Sequence, residues 1–164
     1  MVQLKSTKIK SSPYITKQGM ARLNEESNQI WLRRREVVKA LSAAAAEGDR
    51  SENAEYIYRK KELRGLDRRI RYLQQRMPDL KVISEPPNEQ DKIFFAAWIR
   101  LKNDQDEQVE YRIVGPDEID HQQENISLDS PLAQALLGKQ VDDEVAISVQ
   151  DGRKKYSVMA IRYQ

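Results

Sequence analysis

The first half of the chain repeats apolar residues with the period of an α-helix. Apolar positions recur at three- and four-residue intervals from Met20 to Ala44 and again from Leu63 to Met77. Thr16 is a suitable N-cap for the first helix, Gly48 can adopt the left-handed conformation that ends it, and Pro78 stops the second. The pattern predicts two long helices that run antiparallel because their connection is short.

The predicted helices have too narrow an apolar stripe to form a globule. The second series of apolar residues is unbroken and typical of a coiled-coil seam, whereas the first has gaps at Ser27 and Arg34. About 30 residues at roughly 1.5 Å each give the first helix a length of about 45 Å. We therefore expect an antiparallel coiled-coil hairpin, weakened slightly at Gly65.

The second half of the chain changes to short apolar or alternating runs, which are typical of strands. These runs are Ile93–Leu101, Val109–Gly115, Glu144–Val149 and Lys155–Tyr163. A short helix is predicted from Ser130 to Lys139, with Ser130 as its cap, Pro131 at its first position and Gly138 at its end. The expected fold class is α+β, a helical hairpin followed by an antiparallel sheet that covers one helix.

Charge divides the chain at the same place as the pattern. Residues 1–80 hold 18 basic and 10 acidic side chains, a net charge of +8, and residues 81–164 hold 10 and 16, a net charge of −6. This asymmetry predicts different partners for the two halves, with the basic half facing a polyanion. We place the domain boundary at 77–81, which gives domains 1–80 and 81–164.

Composition excludes several classes of protein. The sequence has no cysteine, hence no disulfide or thiolate metal site, and no apolar run of 18 residues. The N-terminus has lysines but no apolar segment typical of a secretory signal, so a cytoplasmic protein is the simplest interpretation. The single His121 is interpreted as a solvated loop residue, and Phe94, Phe95 and Trp98 as sheet or core residues.

The predicted connection between the helices, residues 47–53, is strongly acidic. Asp49 and Glu52 have the spacing of a capping box, in which Asp49 caps the second helix, and the pattern by itself favours that role. Alternatively, both side chains present hard oxygen ligands to a divalent cation such as Mg²⁺, which accepts one or two protein carboxylates and keeps its other ligands. The two roles are compatible.

A basic run follows the acidic connection. From Arg59 to Arg76 there are eight basic residues and only two acidic ones, Glu62 and Asp67. Such a run is often the solvated flank of a coiled coil, but opposite charges at helical spacing are scarce here, which leaves most of the charge uncompensated. The run therefore favours contacts with the phosphates of a nucleic acid.

Several segments, in order along the chain, resemble the GreA/GreB family of bacterial transcript-cleavage factors. GDRSENAEY followed by KKELRGLDRRIRYL is similar to that family's hairpin, and PYITKQGMARL to the start of its first helix. FFAAWI and YRIVGPDEI resemble its C-terminal domain, and ISLDSPLAQALLGKQVDDEV resembles the segment that holds its polymerase-docking loop. The likeness covers nearly the whole chain, and the dense basic run is typical of the more basic of the family's two branches.

The resemblance implies a fold, a partner and a role. Residues 81–164 would have an FKBP-like fold and dock on bacterial RNA polymerase, and the hairpin would enter its secondary channel. Asp49 and Glu52 would help to hold a second Mg²⁺ shared with the polymerase, so that the polymerase cleaves the nascent RNA near its 3′ end. The chain would then activate an enzyme without being one, and no cofactor is expected on the protein alone.

The same resemblance assigns further residues and partners. A basic patch would attract the extruded RNA, and a loop would dock at the rim of the polymerase channel. No membrane partner is implied, and a monomer is expected. The patch is Arg59, Lys60, Lys61, Arg64 and Arg68, and the loop is Asp129, Ser130 and Pro131.

Two other functions remain open on the sequence alone. A channel-binding regulator without cleavage activity would share the hairpin and the docking domain, but it would not need Asp49 and Glu52 together. A chaperone or prolyl isomerase is suggested only by the FKBP-like domain, and a fold does not establish a function.

Overall fold

The computed structural model describes residues 10–48 and 53–164. Single-turn 3₁₀ helices at Met77–Asp79 and Pro116–Glu118 join some of the longer elements. The helices and strands are, in chain order, β1 (Tyr14–Thr16), α1 (Lys17–Ala46), α2 (Ala54–Arg76), β2 (Lys81–Ile83), β3 (Trp98–Asn103), β4 (Gln108–Val114), β5 (Asn125–Ser127), α3 (Pro131–Leu136), β6 (Glu144–Val149) and β7 (Gly152–Arg162). Among the helices of these described residues, none is long and apolar enough to cross a membrane.

The chain forms two compact units. One is Met20–Leu80, and the other combines the described residues up to Gly19 with Lys81–Gln164. Strands β1 and β2 explain this grouping, because they pair in parallel with Tyr14 opposite Lys81. The predicted division into residues 1–80 and 81–164 assigned β1 to the helical domain, whereas this pairing groups β1 with residues 81–164.

The helical unit is an antiparallel pair, as the sequence predicted. Ion pairs join α1 to α2. The pair nearest the start of α1 reaches farther along α2 than the two pairs near the middle of α1, which fixes the antiparallel direction. The apolar seam is thin, and its buried side chains among the described residues are Leu23, Val37, Ala44, Ile70 and Leu73. The ion pairs are Glu26 with Arg69, Arg33 with Glu62, and Arg34 with Asp67.

The second unit contains a five-stranded sheet in the order β5-β4-β3-β7-β6. All neighbouring strands are antiparallel except β4 and β5, which are parallel. The predicted α+β class is therefore confirmed, and the sheet, predicted as antiparallel, contains one parallel pair, β4 with β5. Strands β1, β2 and β5 were not predicted, because three residues are too few to show an alternating pattern.

The apolar run that begins at Ile93 is only partly a strand. Strand β3 starts at Trp98, and Ala96 has a positive φ of 72° that interrupts the extended backbone. Ile93 and Ala97 are nevertheless fully buried, and the Ile93 N–H donates to the carbonyl of Lys139 at 2.9 Å. The first part of the run is therefore apolar because it lies in the core beneath the sheet, and not because it forms a strand.

Helix α3 has the caps predicted from the sequence. The Ser130 hydroxyl accepts a hydrogen bond from the Ala133 N–H at 3.2 Å, Pro131 is the first helical residue, and Gly138 has a φ of 78° just beyond the helix. Leu136 is fully buried. Burial of α3 against the inner face of the sheet completes the core of this unit.

A buried carboxylate fixes the start of α1. Glu118 is only 5% exposed, and it accepts hydrogen bonds from the Thr16 N–H at 2.7 Å, the Thr16 hydroxyl and the Gly115 N–H at 3.0 Å. The Thr16 oxygen in turn accepts from the Gly19 N–H at 3.0 Å. Thr16 is therefore the N-cap of α1, as predicted, and Glu118 holds that cap in place.

Replacement of Gly19 by alanine should destabilise the protein. A Cβ there would lie 2.6 Å from Cδ and 2.9 Å from Cβ of Glu118, and three hydrogen bonds prevent that side chain from moving away. We expect a loss of about 1–3 kcal/mol in the free energy of unfolding, as in overpacked cores. Guanidinium denaturation followed by far-UV circular dichroism measures it.

The matched control is Gly65→Ala, also within a helix. A Cβ at Gly65 would meet nothing within 4 Å, so this variant should gain up to about 1 kcal/mol. If both variants shift stability in the same direction, the contact with Glu118 does not restrict position 19.

Candidate functional site

A single asparagine joins the two helices at their connection. Asn53 is the N-cap of α2 and its Oδ1 accepts a hydrogen bond from the Tyr56 N–H at 3.1 Å. Its Nδ2 donates to the carbonyl of Ala44, in the last turn of α1, at 2.8 Å. One side chain therefore satisfies an orphan N–H of α2 and adds a second hydrogen bond to a carbonyl of α1 that already accepts from the Glu47 N–H at 3.2 Å.

The prediction that Asp49 caps the second helix is wrong, because α2 begins at Ala54 and Asn53 holds the cap position. Asparagine is as good an N-cap as aspartate, and its amide can also donate to the Ala44 carbonyl, which a carboxylate cannot. The sequence contained this signal in Asn53, but the D-x-x-E spacing obscured it. Asp49 and Glu52 themselves lie outside the described residues, whereas Gly48 has the predicted positive φ, at 135°.

Arg59 is the member of the predicted basic patch whose charge is compensated. Its guanidinium donates to Glu55 at 2.8 Å and to Glu62 at 3.1 Å, and Arg33 of α1 binds the same Glu62 at 2.7 Å. Burial acts to raise the pKa of Glu62, but the hydrogen bonds from Arg33 and Arg59 outweigh it and hold that pKa below its ordinary value. The expectation that compensating pairs are scarce is therefore wrong for Arg59.

The other four residues of the patch lie on the exposed side of α2. With 3.6 residues per turn, Lys60, Lys61, Arg64 and Arg68 project away from the seam formed by Ile70 and its neighbours. Across residues 10–48 and 53–164, none of these four has an ion-pair partner, although Lys60 lies 5.7 Å from the ring centre of Tyr56.

Sequence analysis missed a fifth cation on this face. Arg71 is exposed, follows Arg64 by seven residues, and likewise has no carboxylate partner within the described chain. The heptad spacing from Arg64 was the signal that could have found it. We call the exposed cations Lys60, Lys61, Arg64, Arg68 and Arg71 the outer face of α2.

The predicted docking residues are adjacent but have different local roles. Ser130 and Pro131 form the start of α3, so both have a structural task. Asp129 is exposed, and its carboxylate accepts hydrogen bonds from the backbone N–H of Ser12 at 2.9 Å and from the Ser12 hydroxyl. Ser12 was not predicted, because 117 residues separate it from Asp129 and no local pattern links them.

Other candidates from the sequence have ordinary surroundings. His121 is exposed, as predicted for a loop residue. Phe95 packs against the core, and Trp98 is a residue of β3, in accord with their interpretation as core and sheet residues. Within the described ranges, no three histidine or carboxylate side chains are grouped to hold a metal ion.

Comparison with known proteins gives a consistent result over most of the chain. Residues 13–82 match the family model described as the N-terminal domain of transcription elongation factors, and residues 87–163 match the model described as the C-terminal domain of transcription elongation factors GreA/GreB. Transcription elongation factor GreB of Yersinia pestis is 51% identical over 154 residues, which cover 93% of this chain and 90% of that protein.

A second curated relative has nearly the same identity and coverage, and a solved structure of the family is more distant in sequence. GreB of Pseudomonas aeruginosa is 50% identical over 153 residues, 93% of this chain and 91% of that protein. Among solved structures, a prokaryotic GreA/GreB elongation factor from Nitrosomonas europaea is 18% identical, with a TM-score of 0.42 over 93% of this chain and 100% of that one.

Variants of Asn53 should separate its two hydrogen bonds. Asn53→Asp keeps the acceptor for the Tyr56 N–H but loses the donor to Ala44, whereas Asn53→Ala loses both. We expect Asn53→Ala to lower helix stability by about 1 kcal/mol and to speed hydrogen exchange at the Tyr56 amide, and Asn53→Asp to leave that amide protected. Equal exchange rates in both variants would show that the side chain does not cap α2.

Proposed function

Because the chain belongs to the GreA/GreB family of transcription elongation factors, we propose that it activates RNA cleavage by RNA polymerase. In this proposal the protein acts in the cytoplasm as a monomer. Its hairpin enters the secondary channel of a backtracked polymerase and its tip stimulates hydrolysis of the nascent RNA near the extruded 3′ end. The two-domain match at about half identity carries the proposal, since it extends over both the hairpin and the docking domain.

The contacts of Asn53 support a functional role for the tip carboxylates. Since Asn53 caps α2 and also binds the last turn of α1, capping of α2 does not require Asp49. The connection therefore has a stabilising residue other than Asp49 and Glu52, which leaves an external ligand as the role that we propose for these two carboxylates. We assign Asp49 and Glu52 to that ligand.

The donor set suits magnesium. Asp49 and Glu52 offer only hard oxygen atoms, and Mg²⁺ commonly takes one or two protein carboxylates while phosphates or waters fill its other positions. When bound between the tip and the polymerase, the ion would stabilise negative charge on the oxygen atoms of the reacting phosphate. The two carboxylates would hold that ion and orient a water molecule.

The charge distribution on α2 supports contact with the extruded RNA. The outer face of α2 has five exposed cations without carboxylate partners in the described chain, whereas Arg59 is engaged by Glu55 and Glu62. A cation without a carboxylate partner binds a phosphate at a lower cost in free energy, because it does not first have to give up an ion pair. Lys60, Lys61, Arg64 and Arg68 therefore hold the RNA in this proposal, and Arg59 stabilises the hairpin.

The contact between Ser12 and Asp129 supports the assignment of the docking loop. Asp129 is exposed, yet two donors from Ser12 fix its carboxylate in one orientation. A side chain held in place loses less conformational entropy when a partner binds. We propose that Asp129, with Ser130 and Pro131, contacts the polymerase, and that Ser12 positions Asp129 for this contact.

Substitution of the tip carboxylates tests the cleavage mechanism. Because Asn53 caps α2, Asp49→Asn and Glu52→Gln should leave folding and polymerase binding unchanged. Removal of a charged magnesium ligand should lower the rate of RNA cleavage in arrested elongation complexes by about 10²-fold or more, as for other preorganised electrostatic contacts. The measurement is cleavage at saturating factor, with circular dichroism and polymerase binding as controls.

The outcome distinguishes the two candidate functions. Wild-type protein that binds the polymerase but never increases cleavage would identify a regulator without cleavage activity. Normal cleavage by both variants would show that the carboxylates do not act on the metal.

Ser12→Ala should affect docking and not chemistry. It removes the hydroxyl donor to Asp129 but leaves the N–H donor, so we expect the factor concentration for half-maximal cleavage to rise by about threefold to tenfold, equivalent to about 1 kcal/mol for one hydrogen bond. The maximal rate should not change, and Ser12→Thr, which keeps the hydroxyl, should restore the wild-type concentration. A lower maximal rate at an unchanged half-maximal concentration would exclude a positioning role in docking.

A further inference from the structure

The outer face of the five-stranded sheet concentrates the basic residues of an otherwise acidic segment. Residues 81–164 contain ten lysines and arginines, and the strand registers place six of them on the face opposite the core. The core side of the same strands carries Ile99, Leu101 and Val158, all fully buried. The six are Arg100, Lys102, Arg112, Arg153, Lys155 and Arg162.

Four of these cations form a line across two neighbouring strands. Arg100 and Lys102 follow each other along β3, Lys102 is opposite Ser157 of β7, and Lys155 and Arg153 continue beyond Ser157 in the same direction. Members on the same strand are two residues apart, about 6.6 Å, and the step from Lys102 to Lys155 crosses diagonally from β3 to β7. A track of this length suits an extended polyanion better than a single small anion.

An aromatic platform lies at one end of the track. The registers place Trp98 between Arg112 of β4 and Arg162 of β7, and the two guanidinium carbons lie 5.3 and 4.6 Å from the centre of the Trp98 ring. Hydrogen bonds hold both arginines, from Arg112 to the Ala96 carbonyl at 3.2 Å and from Arg162 to Glu110 at 2.6 Å. Aromatic rings and guanidinium planes are the surfaces on which unpaired bases stack.

The carboxylates on this face compensate only part of its charge. Glu110 pairs with Arg162, and Asp106 in the β3–β4 turn pairs with Lys102 at 3.0 Å. Glu144 is the third carboxylate that the registers place on this side. Within the part of the chain that the structure describes, Arg100, Arg153 and Lys155 have no such partner, and all three are exposed.

We propose that the outer face of the sheet binds single-stranded RNA, with Arg100, Lys102, Lys155 and Arg153 along its phosphates and a base against the Trp98 platform. A sheet face with cations and stacked planes fits a single strand, since its bases are free to stack, whereas a duplex keeps its bases inside. This site is separate from the outer face of α2. It is independent of the proposed cleavage function, because it requires no polymerase.

Charge-matched triple variants of the full-length protein test the proposal. Arg100→Ala, Arg153→Ala and Lys155→Ala remove three charges from the track. Lys81→Ala, Lys139→Ala and Lys154→Ala remove three charges elsewhere in the same unit, and Lys154 lies on the same strand but on the opposite side. Both sets are combined with Lys60→Ala, Lys61→Ala and Arg64→Ala, so that α2 contributes less to binding.

The measurement is anisotropy of a labelled 20-nucleotide single-stranded RNA over a range of salt concentrations. The track variant should bind at least about tenfold more weakly. The slope of its log K against log salt should be smaller in magnitude by about 2, because three phosphate contacts contribute about 0.7 each. The control variant should change affinity by less than about threefold. Equal losses in both variants would reduce the effect to net charge and overturn the site.

Two further measurements distinguish the proposed site from misfolding of the variants and from a site that binds duplex DNA. Glu144→Gln removes one carboxylate from the face, leaves Glu110 to hold Arg162 at the platform, and should tighten RNA binding by about twofold or more, a gain that unfolding cannot produce. Duplex DNA of the same length should bind more weakly than the single strand at equal salt. Equal or tighter binding of the duplex, or no gain in the glutamine variant, would contradict the proposal.

Discussion

The hairpin depends on the small apolar area that two helices alone can bury. Only a few side chains along the seam, such as Leu23, Val37 and Leu73, lie fully inside. Ion pairs between the helices therefore supply register where the seam has gaps, and Arg34, at one such gap, reaches Asp67 at 2.7 Å. Exposed ion pairs contribute little stability one by one, but a directional set of them opposes any sliding of one helix along the other.

The thin seam also divides the cations of α2 into two groups, those beside the seam and those on the opposite side of the helix. Those near the seam, Arg59 and Arg69, are bound to carboxylates, and those on the far side are exposed, with no carboxylate partner among residues 10–48 and 53–164. The sheet unit shows a comparable division, because Lys102 and Arg162 are paired, whereas Arg100 and Lys155 have no carboxylate partner in the part of the chain that the structure describes. Net charge alone hides this division, since residues 81–164 are acidic as a whole.

The sequence predicted those features that depend on neighbouring residues. The helices, the Thr16 and Ser130 caps and the antiparallel direction followed from period, cap chemistry and the short connection. The roles of Ser12 and Glu118 could not be predicted, because each depends on a partner more than 100 residues away. The Asp49 cap was mispredicted because two adjacent segments both satisfied a local capping rule, and the start of α2 at Ala54, with Asn53 accepting from the Tyr56 N–H, decides between them.

The parallel pairing of β1 with β2 has a consequence for biosynthesis. Tyr14 and Lys81 are partners in this ladder, so a growing chain releases β1 long before β2 exists. The helices between them make contacts that are local along the hairpin, and such contacts form early, whereas closing a long flexible loop costs entropy that grows with its length. The nascent strand must therefore remain unpaired until the whole hairpin has left the ribosome, and the sheet unit can close only at the end of translation.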